Sequence, residues 1–205
     1  MNRREAVQSL AFLLGGTLVG ANAFLTGCKT ETGKHRDFTP EDVAYLDEIA
    51  DTILPDTKTP GAKAAKVGQF MTVYVNDCYE ARDQDAFFDG MKKINDQSKQ
   101  SYGDTFMKIT PQQRHDLLVK LDAEQKKRTA ELAAKKKNNT NAAQGNNNSK
   151  KDEDAPHYFR LIKETSMLGY FTSEIGCTQA RRYVPVPGKY EPCVPYNKGD
   201  KAWAL

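Results

Sequence analysis

FTPEDVAYLDEIADTILPD, residues 38–56, contains a helix with both of its ends marked. Thr39 is a good N-cap, and Asp42 can reach back to it as an imperfect capping-box partner. Pro40 suits the first helical position, where its missing N–H is not needed. Val43, Leu46, Ile49, Ala50, Ile53 and Leu54 then recur at three- and four-residue steps, which puts them on one face. Pro55 stops the run. A helix with a single apolar stripe must bury it against other elements, so the rest of the chain has to supply partners.

It supplies them as helices. After a turn signal at Pro60-Gly61, VGQFMTVYVNDCYEAR predicts a second helix with Val67, Phe70, Val73, Tyr74 and Cys78 facing inward. DQDAFFDGMKKINDQSKQSYG repeats apolar positions at Phe87, Phe88, Met91 and Ile94, which gives a third. A fourth opens at Thr110-Pro111-Gln112-Gln113, again cap, proline and capping-box glutamine, with Leu117, Leu118 and Leu121 as its stripe. HYFRLIKETSMLGYFTSEIG gives a fifth helix, apolar around much of its circumference through Phe159, Leu161, Ile162, Met167, Leu168 and Phe171, as a central element would be. Gly176 is its expected terminator. The fold class is all-α, a compact helical domain with an extended proline- and aromatic-rich C-terminal tail.

Between the fourth and fifth helices the pattern dissolves. AEQKKRTAELAAKKKNNTNAAQGNNNSKKDEDA is charged and then Asn-rich, with almost nothing to bury. It predicts a disordered insertion at about 132–155, with a solvated helix running at most to about Lys137. Neither flank has enough apolar surface for its own core, so residues 39–205 form one domain.

The N-terminus reads differently. MNRREAVQSLAFLLGGTLVGANAFLTGCK has a basic start, an uncharged run from Leu10 to Leu25 and a small-residue processing site, the three parts of a secretory signal. The run is shorter than the roughly 20 apolar residues of a spanning helix. LTGC at 25–28 resembles the bacterial lipobox, which makes residues 1–27 a signal, Cys28 the acylated mature N-terminus, and residues 28–38 a polar tether. The competing reading is an ordinary cleaved signal with a chance cysteine. Arg3 and Arg4 resemble a twin-arginine export motif, although Ala6 stands where a bulky apolar residue is usual. The expected location is the periplasmic side of a bacterial membrane, lipid-anchored to the inner or outer one.

The whole chain has 205 residues, is 39% hydrophobic and carries a formal net charge of +3. Its lysines concentrate in the low-complexity segment, so the charge does not indicate nucleic-acid binding. With Cys28 acylated, Cys78, Cys177 and Cys193 remain. A Cys177–Cys193 bridge would pin the tail to the end of the fifth helix and stabilise by about 3 kcal/mol in the chain-entropy model. The alternatives are a pairing with Cys78 or three reduced thiols, and the apolar face around Cys78 predicts a buried residue.

The tail, YVPVPGKYEPCVPYNKGDKAWAL, cannot be helical because of its prolines. Arg181, Arg182, Tyr183, Tyr190, Tyr196 and Trp203 form the arginine–aromatic mix enriched at protein interfaces. Covering the chain's own helices is the other use for those aromatics. Little in the sequence points to catalysis. No Gly-x-Gly-x-x-Gly follows a strand, no Cys-x-x-Cys-His would attach haem, and His35, His115 and His157 are scattered. Glu164 and Glu174 share a helix but stand about 80° out of alignment, which suits solvated or interface positions.

GYFTSEIG followed by RRYVPVPGKYEPCVPY and KAWAL, together with DEIADTILPDTKTPGAKAAKVGQF, resembles the family of gluconate 2-dehydrogenase subunit 3, over residues 39–125 and 157–205. The resemblance implies a compact helical small subunit accompanying a large FAD-dependent sugar or sugar-acid dehydrogenase of the glucose–methanol–choline type. It implies a cytochrome downstream in many members, and a twin-arginine signal that exports the catalytic subunit as a passenger. No catalytic residue and no cofactor of this chain are implied; FAD is expected in the partner. The second reading is a stand-alone periplasmic lipoprotein acting as a binding or scaffold module.

Overall fold

The computed structural model describes residues 36–139, 156–186, 188–189 and 193–204. Arg3, Arg4, Cys28, His35 and Tyr190 lie outside them, as do residues 140–155 of the expected insertion. Among the described residues five α-helices follow one another: α1 (Pro40–Ile53), α2 (Val67–Cys78), α3 (Ala81–Tyr102), α4 (Pro111–Asn139) and α5 (Tyr158–Thr172). A single π-helical turn, Gly176–Ala180, comes after α5. Among the described residues no helix is long and apolar enough to cross a membrane.

Both sequence-read caps form. The Asp42 N–H donates to Thr39 Oγ1 at 3.2 Å while the Thr39 N–H donates to Asp42 Oδ2 at 3.0 Å. At α4 the Gln113 N–H donates to Thr110 Oγ1 at 3.3 Å, and Gln113 Oε1 accepts from the Thr110 N–H at 2.9 Å. Each box satisfies two backbone donors that the first turn would otherwise leave open.

The α1–α2 connection is held by carboxylates of α1 and of the loop itself. Asp47 Oδ1 accepts from the Gly68 N–H at 2.7 Å, and Asp56 accepts from the Gly61 N–H. A Cβ on Gly68 would stand 2.6 Å from the Val43 carbonyl oxygen, so only glycine lets α2 start this close to α1. Burial pushes the Asp47 carboxyl up from its usual range, and the Gly68 N–H opposes that shift.

Helix α5 packs against α1, α2, α3 and α4, and is the central element that its apolar circumference predicts. Leu46, Ile49, Met71, Val75, Phe87, Ile94, Leu121 and Ile162 meet in the core with no exposed surface. α2 and α5 run antiparallel. Tyr79, just past the end of α2, shares a 2.7 Å hydrogen bond with Thr165, and Ser166 Oγ lies 3.7 Å from Met71 Sδ. Further along, Gly169 lets the Phe70 ring approach: a Cβ there would be 2.5 Å from Phe70 Cδ1.

Two sequence expectations need correction. In α2 the buried positions are Val67, Gly68, Met71 and Val75, so the stripe is rotated from the predicted one. Val73 is 58% exposed, and Cys78 is exposed at the last turn. VGQFMTVYV is apolar at too many positions for periodicity to fix its phase, and contact with α1 and α5 selects the face that includes Gly68. In α5, Met167 and Leu168 lie on the outer surface. α4 runs through Asn139, two residues past the expected limit of its solvated extension, because AELAAKKK is made of strong helix formers.

Candidate functional site

The chain leaves α5 at Thr172, and Ser173 closes the helix by donating its N–H to the Tyr170 carbonyl at 3.2 Å. The π-helical turn then packs against that end so closely that a Cβ on Gly176 would stand 1.9 Å from the Tyr170 oxygen. This turn is the root of the tail. The Arg181 guanidinium lies over the Phe171 ring at 4.7 Å, which continues the exposed flank of α5 into the tail.

The tail then closes on itself. Arg182 and Trp203 form a parallel β-bridge, with the Arg182 N–H donating to the Ala202 carbonyl and the Ala204 N–H to the Arg182 carbonyl, both at 2.8 Å. Arg182 Nε donates to the Lys201 carbonyl at 2.8 Å, and its guanidinium lies 4.3 Å above the Trp203 ring. Lys201 Nζ reaches the Gln179 carbonyl in the π-turn. Arg182 and Lys201–Ala204 are therefore held together beside the π-turn that follows α5.

The tail loop carries an unusual share of apolar surface. Tyr183, Val184, Val186, Val194, Tyr196 and Trp203 are six of the eleven large hydrophobic side chains exposed among the described residues. Clustered apolar exposure marks a docking site far more often than scattered exposure does. Of the described tail aromatics, Tyr196 is 77% exposed and Tyr183 and Trp203 about half exposed. Arg181, Arg182, Tyr183, Tyr196 and Trp203 all occupy this loop and its root.

Cys177 and Cys193 are free thiols, as is Cys78, so the 177–193 bridge is not formed in this structure. The Cys177 Sγ instead donates to the Phe171 carbonyl at 3.3 Å.

Elsewhere the surface offers concavities without reactive constellations. One of about 380 Å³ is lined by Thr129, Leu132, Ala133, Pro156, Arg160, Leu161 and Glu164. A smaller one of about 160 Å³ lies between α1, α4 and α5, with His115 and the Asp122–Lys163 ion pair among its lining residues. Burial pushes Asp122 up, but hydrogen bonds from Lys126, Lys163 and Gln125 outweigh it and hold the carboxyl at about 2. Among the described residues no three His, Cys, Asp or Glu side chains gather where they could hold a metal. A flavin pyrophosphate needs free backbone N–H groups at a glycine-bearing helix start. The Gly68 N–H at α2 is already taken by the Asp47 carboxylate, an anion standing where a phosphate would sit, and the Gly176 N–H is taken by Ser173 Oγ.

His157 caps α5: its Nδ1 accepts from the Phe159 N–H at 3.3 Å, and its ring stacks on Tyr158 at 4.3 Å. Burial holds its pKa below the usual value, aided by Lys93 and Arg128 and opposed by Glu124. The stability tied to neutral His157 is thus fully present above about pH 6.5 and is lost as pH falls through the depressed folded value. Thermal melts between about pH 7.5 and 5 should show a steeper loss for the native chain than for His157→Asn, which keeps a capping acceptor but does not titrate. Equal slopes would remove the neutral cap.

Arg114 gave no signal in the sequence, yet it joins three elements. It pairs with Glu48 of α1, and donates to the Phe106 carbonyl at 2.9 Å and the Met107 carbonyl at 2.8 Å. A long side chain that spans from its own helix to a second helix and a connecting loop leaves no mark on local periodicity.

Compared with known proteins, residues 40–188 match the model of a family described as gluconate 2-dehydrogenase subunit 3. No curated protein and no solved structure matches the chain significantly.

Proposed function

The chain belongs to the gluconate 2-dehydrogenase subunit 3 family, and on that premise we propose that it is the non-catalytic, membrane-tethered small subunit of a periplasmic FAD-dependent sugar or sugar-acid dehydrogenase. The observation that carries this reading is the tail loop, an arginine–aromatic surface held open at the end of α5. Its prolines pre-extend the backbone, so docking on a large partner costs less ordering entropy than a flexible segment would pay. The partner's flavin takes the electrons from the sugar and hands them to a cytochrome or quinone. This chain binds, exports and positions that partner.

The N-terminus supports the same reading. A lipobox cysteine supplies an anchor, each buried methylene contributing about 0.8 kcal/mol. An Arg-Arg pair fits export of an already folded, cofactor-loaded passenger.

Variants of the anchor and the signal test it in cells. Cys28→Ser should move dye-linked sugar dehydrogenase activity from the membrane fraction to the soluble one without abolishing it. Arg3→Lys with Arg4→Lys should leave that activity in the cytoplasm. Activity that keeps its place in both variants would separate this chain from the dehydrogenase.

A further inference from the structure

Four arginines of the domain pair with carboxylates: Arg36 with Asp85, Arg82 with Asp83 at 3.1 Å, Arg114 with Glu48, and Arg160 with Glu164 at 2.7 Å. The two at the root of the tail differ. Among the described residues no carboxylate pairs with Arg181 or Arg182, nor with Lys198 or Lys201. Glu174, seven residues before Arg181, does not reach it. Each guanidinium lies over an aromatic ring instead, Arg181 over Phe171 at 4.7 Å and Arg182 over Trp203 at 4.3 Å. The ring under Arg181 belongs to an apolar flank. Met167 and Leu168 are exposed on α5, four and three residues before Phe171, so the three side chains are neighbours on the helix surface. Charge is divided along the chain. Residues 176–205 hold five Lys and Arg against two Asp and Glu, whereas residues 36–104 hold eight against fourteen. The tail's positive charge is therefore a local feature and not a property of the whole surface.

We propose that Met167, Leu168, Phe171 and Arg181 extend the docking surface from the tail onto α5, and that the partner seated there presents an apolar patch bordered by carboxylates, one of which pairs with Arg181. The proposal rests on the small-subunit reading above and names the chemistry of its partner. A guanidinium already stacked on a ring loses less freedom when a carboxylate arrives, and its planar fork takes both oxygens at once. The ring also keeps water from one face of the cation, which strengthens the pair. A partner without acids would cover the flank only by stranding an unpaired charge at its edge, a cost that apolar contact must then offset. The unpaired arginines and the exposed apolar flank thus call for the same partner surface.

The full chain and the flavoprotein that purifies with it are separated and remixed, and Kd is read at two salt concentrations. For the native chain Kd should rise at least about 10-fold between about 50 and about 500 mM NaCl. Arg181→Glu should weaken binding roughly 100-fold at the lower salt and flatten the salt response. Arg181→Lys should fall between, since it keeps the charge and loses the fork. Leu168→Asp sets a carboxylate against the partner's own and should weaken binding about 10-fold with an unchanged melting temperature. Lys92→Glu makes the same change of charge on the exposed face of α3 and should stay within about twofold of native. Native-strength, salt-independent binding by Arg181→Glu would overturn the carboxylate contact and leave the small-subunit reading standing. The absence of any flavoprotein in the preparation would remove that reading, and this proposal with it. Salt-sensitive self-association of the chain alone would assign the flank to a second copy. Capture by phosphatidylglycerol vesicles that Arg181→Glu abolishes, with flavoprotein binding intact, would assign it to lipid. Either result would overturn the proposal.

Discussion

Arg114→Ala should lower the stability of the domain by about 2 to 4 kcal/mol, read as a fall in melting temperature of roughly 10 °C. The side chain is 13% exposed and Glu48 is 19% exposed, so little water replaces the lost ion pair. Two backbone carbonyls, of Phe106 and Met107, lose their donors in the same step. Phe106 itself is fully buried, with its ring 5.7 Å from both the guanidinium and the edge-on Tyr45. The α3–α4 connection would therefore loosen along with the α1–α4 contact. Arg114→Lys should fall between, since an ammonium keeps the charge but loses the planar fork. Lys63 is the control. It pairs with the same Glu48 at 2.9 Å but is 58% exposed, and Lys63→Ala should cost less than about 1 kcal/mol. Equal losses from Arg114→Ala and Lys63→Ala would show that the fork to the carbonyls contributes nothing.

Arg182→Ala and Trp203→Ala should each weaken attachment to the proposed flavoprotein partner by at least about 30-fold, the effect of losing one interface anchor worth about 2 kcal/mol. The two residues are stacked and hydrogen-bonded to form one platform, so the double variant should lose less than the sum of the singles. Neither packs in the core, and melting temperatures should stay within the change expected for surface positions, about 0.5 kcal/mol. Co-sedimentation of the variants with the partner, set beside thermal melts of the same preparations, separates lost docking from lost fold. Native-strength attachment in the double variant would assign the tail some other role.

Local signals in the sequence recover much of this structure, and tertiary ones do not. Thr39, Pro40 and Asp42 mark the start of α1, and Thr110, Pro111 and Gln113 that of α4, because capping is chemistry between residues three apart. The apolar surplus of α5 identifies it as central for the same local reason. The phase of α2 was not legible: Val67, Phe70, Met71, Val73, Tyr74 and Val75 suit more than one face, and the choice depends on where Asp47 and Gly68 meet. The π-turn at Gly176 was expected only as a helix end, since its extra residue per turn follows from packing on Tyr170. The tail's prolines bar a helix there by local chemistry alone. Its closure through Arg182 and Trp203 joins positions 21 apart, and no local pattern reports a contact of that range.

The central claim is that this chain supplies surface and attachment while a companion supplies the redox group. Flavin content measures it most directly, in protein purified from native membranes through a tag on this subunit and in the same chain produced alone. The membrane preparation should contain a large second polypeptide with flavin bound in proportion to it, and the chain alone should be colourless. Flavin held by the chain alone, or a membrane preparation free of both flavin and a second polypeptide, would contradict the claim.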